Sequence, residues 1–195
     1  MAPRTAQRFR TRAALLEGAR QVLARGDQLT VPAAARSSGI SRATAYRYFS
    51  DATTLAAEAA LDLAVTPTEI LLEGLTAPRE RAHAIRRYYL AFAVKNETAF
   101  RAFLARTMQD WLGSPPGARP QLRGARRIPA FETALQGERS RLEAETFREM
   151  ILCLTAATGL EQHVALSDVC GLEPEAAEAI SVAMTDAILD RYGVR

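Results

Sequence analysis

The stretch "SSGISRATAYRYFSD", residues 37–51, packs two tyrosines, a phenylalanine and two arginines into a short polar run. It is too aromatic for an ordinary exposed helix and too charged for a core. Its neighbour "TVPAAAR", residues 30–36, supplies the frame. Thr30 is a good N-cap, and Pro32 sits in the first turn, where its missing N–H costs nothing. Gly39 then breaks this short helix, and Ser41 caps the next one, "RATAYRYF".

The spacing Ala35-x3-Gly39, followed by Ile40 and the Ser41 cap, is that of a helix-turn-helix. Two short helices cross closely, so a small residue must sit at the crossing, and Ala35 does. The turn needs a residue tolerant of positive φ, which Gly39 supplies. Ile40 plugs the core behind the turn. The second helix of such a unit projects its N-terminal half into a DNA major groove.

Charge points the same way. Residues 1–50 carry nine arginines against Glu17 and Asp27, a net +7, whereas the remainder carries 16 basic and 20 acidic residues, a net −4. A basic head on a mildly acidic body fits a head that meets a polyanion. The arm "PRTAQRFRTR" is expected to run along a phosphate backbone or into a minor groove.

These residues resemble the tetracycline-repressor-like (TetR/AcrR) family of bacterial regulators. The resembling block runs from Leu15 to Leu61 and is strongest over "TVPAAARSSGISRATAYRYFSDATTL". It includes Thr30, Ala35, Gly39, Ile40 and Ser41, the signature Tyr46-Arg47-Tyr48-Phe49, and Leu55. The chain departs from the family pattern in "GDQLT" after Gly26. Ala34 and Ala45 stand where larger aliphatics are usual, which predicts an under-filled core in the head. Ala52 replaces a common phosphate-binding lysine.

The resemblance implies roles by position. Tyr46 and Tyr48 would bond phosphate oxygens, or Tyr46 a base, while Phe49 is core. Arg42, Ala43 and Thr44, on the first turn of the recognition helix, would read bases. Arginine holds guanine O6 and N7 with two bonds, and Ala43 or Thr44 can meet a thymine methyl. Arg47 would take a base or a phosphate. Thr30 and Ser41 sit at helix starts that also favour phosphate.

The rest of the chain repeats apolar residues at helical spacing, with no convincing strand and no internal repeat. The expectation is an all-α chain of nine or ten helices: a head over residues 1–50, a connector helix over about 51–65 capped by Ser50 or Asp51, and a body over 68–195. In the first helix Phe9, Ala13, Leu16 and Leu23 form one stripe, with Leu15, Ala19 and Val22 beside it. "GSPPGARP", residues 113–120, is the clearest loop. Pro129 either kinks or restarts the helix around it. A long helix is expected over about 143–169 and a last one over about 175–191.

The family generally dimerises through its last two helices. Phe147, Ile151, Leu154 and Thr158 form one candidate stripe, and Ile180, Met184 and Ile188 another. Either could instead be intrachain core. A small-molecule site between the connector and the body helices would draw on Tyr88, Tyr89, Phe92, Phe103, Met108 and Trp111. Arg86 and Arg87 read as a solvated face, with contact to an anionic ligand as the alternative, and His163 as a core or interface histidine.

Other chemistry finds little footing. No apolar run approaches the roughly 18–20 residues of a membrane span, and no signal-peptide core follows the basic start. Cys153 and Cys170 lie about 25 Å apart if one continuous helix carries both, too far for a disulfide. No metal-ligand spacing, nucleophile elbow or phosphate loop is visible, so neither cofactor nor catalysis is expected.

The expectation is therefore a cytoplasmic, nucleoid-associated regulator. It would bind a palindromic DNA operator as a homodimer, most often as a repressor, and a small-molecule effector not identified by the sequence would release it. The alternatives are an effector-independent architectural or division-linked DNA-binding protein, and a small all-helical enzyme whose first helices merely resemble the motif.

Overall fold

The computed structural model describes residues 3–63, 65–113 and 126–195. The expected loop over 113–120 falls almost wholly outside these residues, as does the side chain of Arg4. The described residues are all-helical: α1 (Pro3–Ala24), α2 (Val31–Ser37), α3 (Arg42–Tyr46), α4 (Ala52–Leu63), α5 (Thr68–Leu71), α6 (Pro78–Lys95), α7 (Glu97–Leu112), α8 (Arg127–Ala134), α9 (Ala144–Ala156), α10 (Leu160–Val164) and α11 (Pro174–Arg191). No helix among them is long and apolar enough to cross a membrane. The helices divide into two compact units. Described parts of residues 1–65 and 98–125 form one, and 66–97 with 126–195 form the other. All but the first residue of α7 thus groups with the first unit.

In the first unit, Leu15, Leu16, Ala19, Val31, Ala34, Ala35, Ala45, Phe49, Leu55 and Ala59 make one core. The buried stripe of α1 is shifted from the expected one. Leu15, Leu16, Ala19 and Val22 are inside, while Ala13 and Leu23 are exposed. α1 and α2 approach closely beside Ala34. A Cβ on Gly18 would lie 2.5 Å from the Ala34 carbonyl oxygen and 3.1 Å from the Ser38 Cβ. Glycine at 18 thus makes up for small side chains at 34 and 35.

The second unit is built around Ile85, Tyr89, Phe131, Leu135, Phe147, Met150, Ile151, Leu154 and Leu189. Pro129 lies in the first turn of α8, where no intrahelical N–H is needed, so the helix restarts there rather than kinking. The expected long helix over 143–169 is broken. Gly159 adopts φ 91° and ψ −152°, a region open essentially to glycine alone. α10 then gives way to a π-helical turn at Ala165–Val169. That break, with several short helices, raises the count above nine or ten.

The candidate dimer stripe on α9 is corrected. Phe147, Ile151, Leu154 and Thr158 are buried within the chain. On α11 the polarity is inverted. Ala177, Ser181, Thr185 and Leu189 face inward, whereas Ala176, Ile180, Ala183, Met184 and Ala187 are exposed and Ile188 is half-buried.

Polar clamps hold α6 on α11. Arg79 Nη1 lies 2.5 Å from Asp186 Oδ1, and the same guanidinium reaches Asp190 and, at 2.9 Å, the Val194 carbonyl. His83 Nε2 lies 2.9 Å from Asp186 Oδ1. Arg86, read from sequence as solvated, is buried; it donates to Glu178 Oε1 at 2.8 Å and approaches the buried Ser181 hydroxyl at 3.4 Å. Contact with His83 chiefly, then with Arg79, holds the Asp186 carboxyl below its ordinary range despite some desolvation.

A carboxyl depressed in the folded state stabilises above its unfolded value and loses that contribution as pH falls through the folded one. We expect wild-type stability to decline on acidification from about pH 4 downward, where an unperturbed aspartate begins to protonate. Asp186→Asn should be less stable than wild type at pH 7, and the difference should shrink by pH 3. Urea unfolding across that interval measures it; a gap independent of pH would refute the assignment.

Candidate nucleic-acid interface

The α2–α3 unit is assembled by local rules. Thr30 Oγ1 accepts from the Ala33 N–H at 3.1 Å, and Ser41 Oγ accepts from the Thr44 N–H at 3.2 Å, so each short helix has its side-chain cap. Ser41 Oγ also donates to Thr44 Oγ1 at 2.9 Å. Gly39 takes φ 67°, and the following Ile40 N–H donates to the Ala35 carbonyl at 2.9 Å. Asp51 caps α4: its Oδ1 accepts from the Thr54 N–H at 2.8 Å.

α3 sorts its residues sharply. Ala45 and Phe49 are buried, whereas Ser41, Arg42, Ala43, Tyr46 and Arg47 are exposed. Thr30, Thr44 and Tyr48 are half-buried, and Tyr48 packs against the core of the first unit. Apart from Thr30 at the start of α2, the expected phosphate- and base-contacting residues are therefore grouped on one short segment, 41–48. An open depression between α1 and α2, lined by Gln21, Arg25, Gln28, Arg36 and Ser37 among others, adds two arginines to the surface of this unit.

What fixes α3 is a group that the sequence reading did not find. Arg12, placed in the DNA-reaching arm, lies instead inside helix α1 and turns inward. Its guanidinium meets both carboxylate oxygens of Glu58 on α4, with Nε 2.7 Å from Oε1. The two side chains are only 6% and 5% exposed. The guanidinium also sits 4.5 Å over the Phe49 ring and directs Nη1 toward the Tyr48 carbonyl at 3.4 Å. One side chain thus joins α1, α4 and the end of the recognition segment. Among the described side chains, the outward arginines of the arm are Arg8 and Arg10, and Arg10 donates to Gln7 at 2.7 Å.

The candidate ligand residues divide between the two units. Tyr88, Tyr89 and Phe92 cluster on α6; Tyr88 meets Tyr89 edge-on at 5.2 Å and stacks with Phe92 at 5.9 Å. Tyr89 and Phe92 are buried, with Tyr89 in the core of the second unit. Phe103, Met108 and Trp111 lie on α7, grouped with the first unit; Phe103 is half-buried and the other two are exposed. Among the described residues, no three His, Cys, Asp or Glu side chains are placed to share a metal ion. Both cysteines are free thiols.

Removing one partner of a buried ion pair strands the other. Arg12→Met alone should therefore destabilise the protein by about 3–5 kcal/mol, and Arg12→Met with Glu58→Leu should recover most of that loss. Denaturant unfolding of both variants gives the answer. If the single variant loses less than about 1 kcal/mol, the pair is not what secures α3.

No family model matches the chain, and neither the curated proteins nor the solved structures contain a match to it.

Proposed function

We propose that this chain is a ligand-responsive DNA-binding transcriptional regulator rather than an enzyme. It acts as a homodimer on a near-palindromic operator in the cytoplasm, most plainly as a repressor released by a small-molecule effector. The observation that carries this reading is the capped α2–Gly39–α3 unit, which buries Ala45 and Phe49 while exposing Arg42, Ala43, Tyr46 and Arg47. A short helix with cations and a tyrosine outward and a rigid inner face suits insertion into a major groove. The net +7 of residues 1–50 supplies the attraction to phosphate.

The outer face of α11 supports the dimer. Ala176, Ile180, Ala183, Met184 and Ala187 recur at helical spacing and are exposed, and Leu152 on α9 is exposed too. Small residues let a second copy of the helix approach closely, and a two-fold contact would pair this face with itself. The α9 residues expected at this contact are inside, so α11, with Ile180 and Met184, supplies most of the proposed surface. Effector binding releases DNA by favouring a dimer shape with the wrong half-site spacing, which requires different affinity for the two shapes.

Selection of genomic DNA fragments by the purified protein tests the reading directly. Fragments sharing two half-sites one helical turn apart are expected, and enrichment without any common sequence would count against it. Arg42→Ala should cost about 1–3 kcal/mol at one base position and relax specificity there. Tyr46→Phe should instead weaken binding about equally across sequences.

Met184→Glu places a charge on the proposed self-contact. In sedimentation equilibrium it should shift the protein toward monomer and lower operator affinity with it. A dimer unchanged by this substitution would place the interface elsewhere.

A further inference from the structure

We propose that Arg12 and Glu58 are positioning residues for base recognition: the buried pair sets where residues 41–48 sit, and with that the discrimination between an operator and other DNA. The inference rests on the DNA-binding reading above and adds to it two residues that lie beneath the surface.

Little apolar area holds this stretch in place. α3 is five residues long, about 7.5 Å at 1.5 Å per residue. Of residues 41–49 only Ala45 and Phe49 are buried, and Ala45 offers a single methyl group. Phe49 is therefore the main anchor, and Arg12 covers it, with the guanidinium carbon 4.5 Å from the ring centroid. The same group directs Nη1 toward the Tyr48 carbonyl at 3.4 Å. Its other donors, Nε and Nη2, go to the two Glu58 oxygens. The plane of the guanidinium is thus set from α4, while its face and one edge bear on the end of the stretch. Arg42, Ala43, Tyr46 and Arg47 lie on the opposite, exposed side.

Bases and phosphates make different demands on that exposed side. A two-bond contact to a base edge needs the side chain held to within about 0.5 Å. Attraction to phosphate is a sum over many charges and tolerates displacement. A pair that fixes placement therefore acts on discrimination and leaves general attraction alone. Arg12 is not a phosphate contact, because the two side chains are 6% and 5% exposed and their charges cancel. Arginines available to phosphate point outward, as Arg8 and Arg10 do. Stability alone does not call for the pair either, since apolar residues of similar volume serve as well. What the ions add over such residues is direction.

Arg12→Met with Glu58→Leu removes one cation and one anion and leaves the net charge unchanged. Affinity of the full chain is measured across a range of salt for a selected operator fragment and for a duplex of the same composition in shuffled order. The double variant, shown by circular dichroism to be folded, should lose about tenfold on the operator. On the shuffled duplex it should stay within about twofold of wild type, with the same salt dependence. Arg12→Lys keeps the charge facing Glu58 but not the planar fork. It should fall between wild type and the double variant, and it decides the matter if the double variant does not fold. Amide hydrogen exchange adds a readout without DNA: residues 45–49 should exchange faster in the folded variants, with α9 and α11 unchanged. An operator-to-shuffled ratio within about twofold of wild type overturns the proposal. Equal weakening on both duplexes overturns it too and makes the pair a structural element only. The two readings fail separately. If wild type selects an operator and the folded variants hold it equally well, this inference alone falls. If wild type selects no common sequence, the regulator reading falls and takes this inference with it.

Discussion

The placement of α3 and the residues after it depends on the buried pair between Arg12 and Glu58. Alanine supplies much of the core in the first unit: Ala19, Ala34, Ala35, Ala45 and Ala59. Alanines bury little area each, at roughly 25 cal/mol per Å², and they present smooth surfaces along which helices can slide. A bidentate guanidinium–carboxylate contact is directional and admits one register. Arg12 adds the face of Phe49 and the carbonyl of Tyr48 to that contact. The inner side of α3 is therefore fixed by a charge that water cannot reach, and its outer side is free to carry Arg42, Tyr46 and Arg47.

The second unit solves a different problem with similar means. α11 turns Ser181 and Thr185 inward, so its contact with α6 cannot rest on apolar area alone. Ser181 donates to Gln162 Oε1 at 2.9 Å, and Thr185 to the Ser181 carbonyl at 3.1 Å, which satisfies those hydroxyls. Arg79, His83 and Arg86 then tie α6 to α11 from one end to the other. The apolar side chains left over lie on the outside. A helix polar within and apolar without leaves exposed apolar surface, the surface the proposed self-contact would use.

The reading of two short capped helices about Gly39 rested on short-range rules, and the caps at Thr30 and Ser41 and the turn at Gly39 follow those rules in the structure. The all-helical class followed from periodicity. What escaped was anything set by contact between distant segments. Arg12 looked like one more cation in a basic arm, although it shares a helix face with Leu15, Leu16 and Ala19. Glu58 likewise shares one with Leu55 and Ala59. Opposite charges on two buried stripes were the available signal. The close approach of α2 at Gly18 was not read, because only contact between the two helices shows it. The continuous helix over 143–169 ignored Gly159, because a single glycine within a periodic stretch is ordinarily tolerated. The stripe through Phe147, Ile151 and Leu154 was legible as a stripe, but periodicity does not say which partner covers it.

Gly18 and Gly159 show how the same device leads to different ends. Each omits a side chain so that a polar group can move in: the Ala34 carbonyl at one, the Arg127 guanidinium at the other. The Ala34 oxygen arrives with its hydrogen bonds made, accepting from the Ser38 N–H at 3.0 Å and the Ser38 hydroxyl at 2.8 Å. That approach is complete, and its effect is to bring two helices together. The Arg127 guanidinium packs against Gly159 and is held through its other terminal nitrogen by Glu161 Oε2 at 2.9 Å.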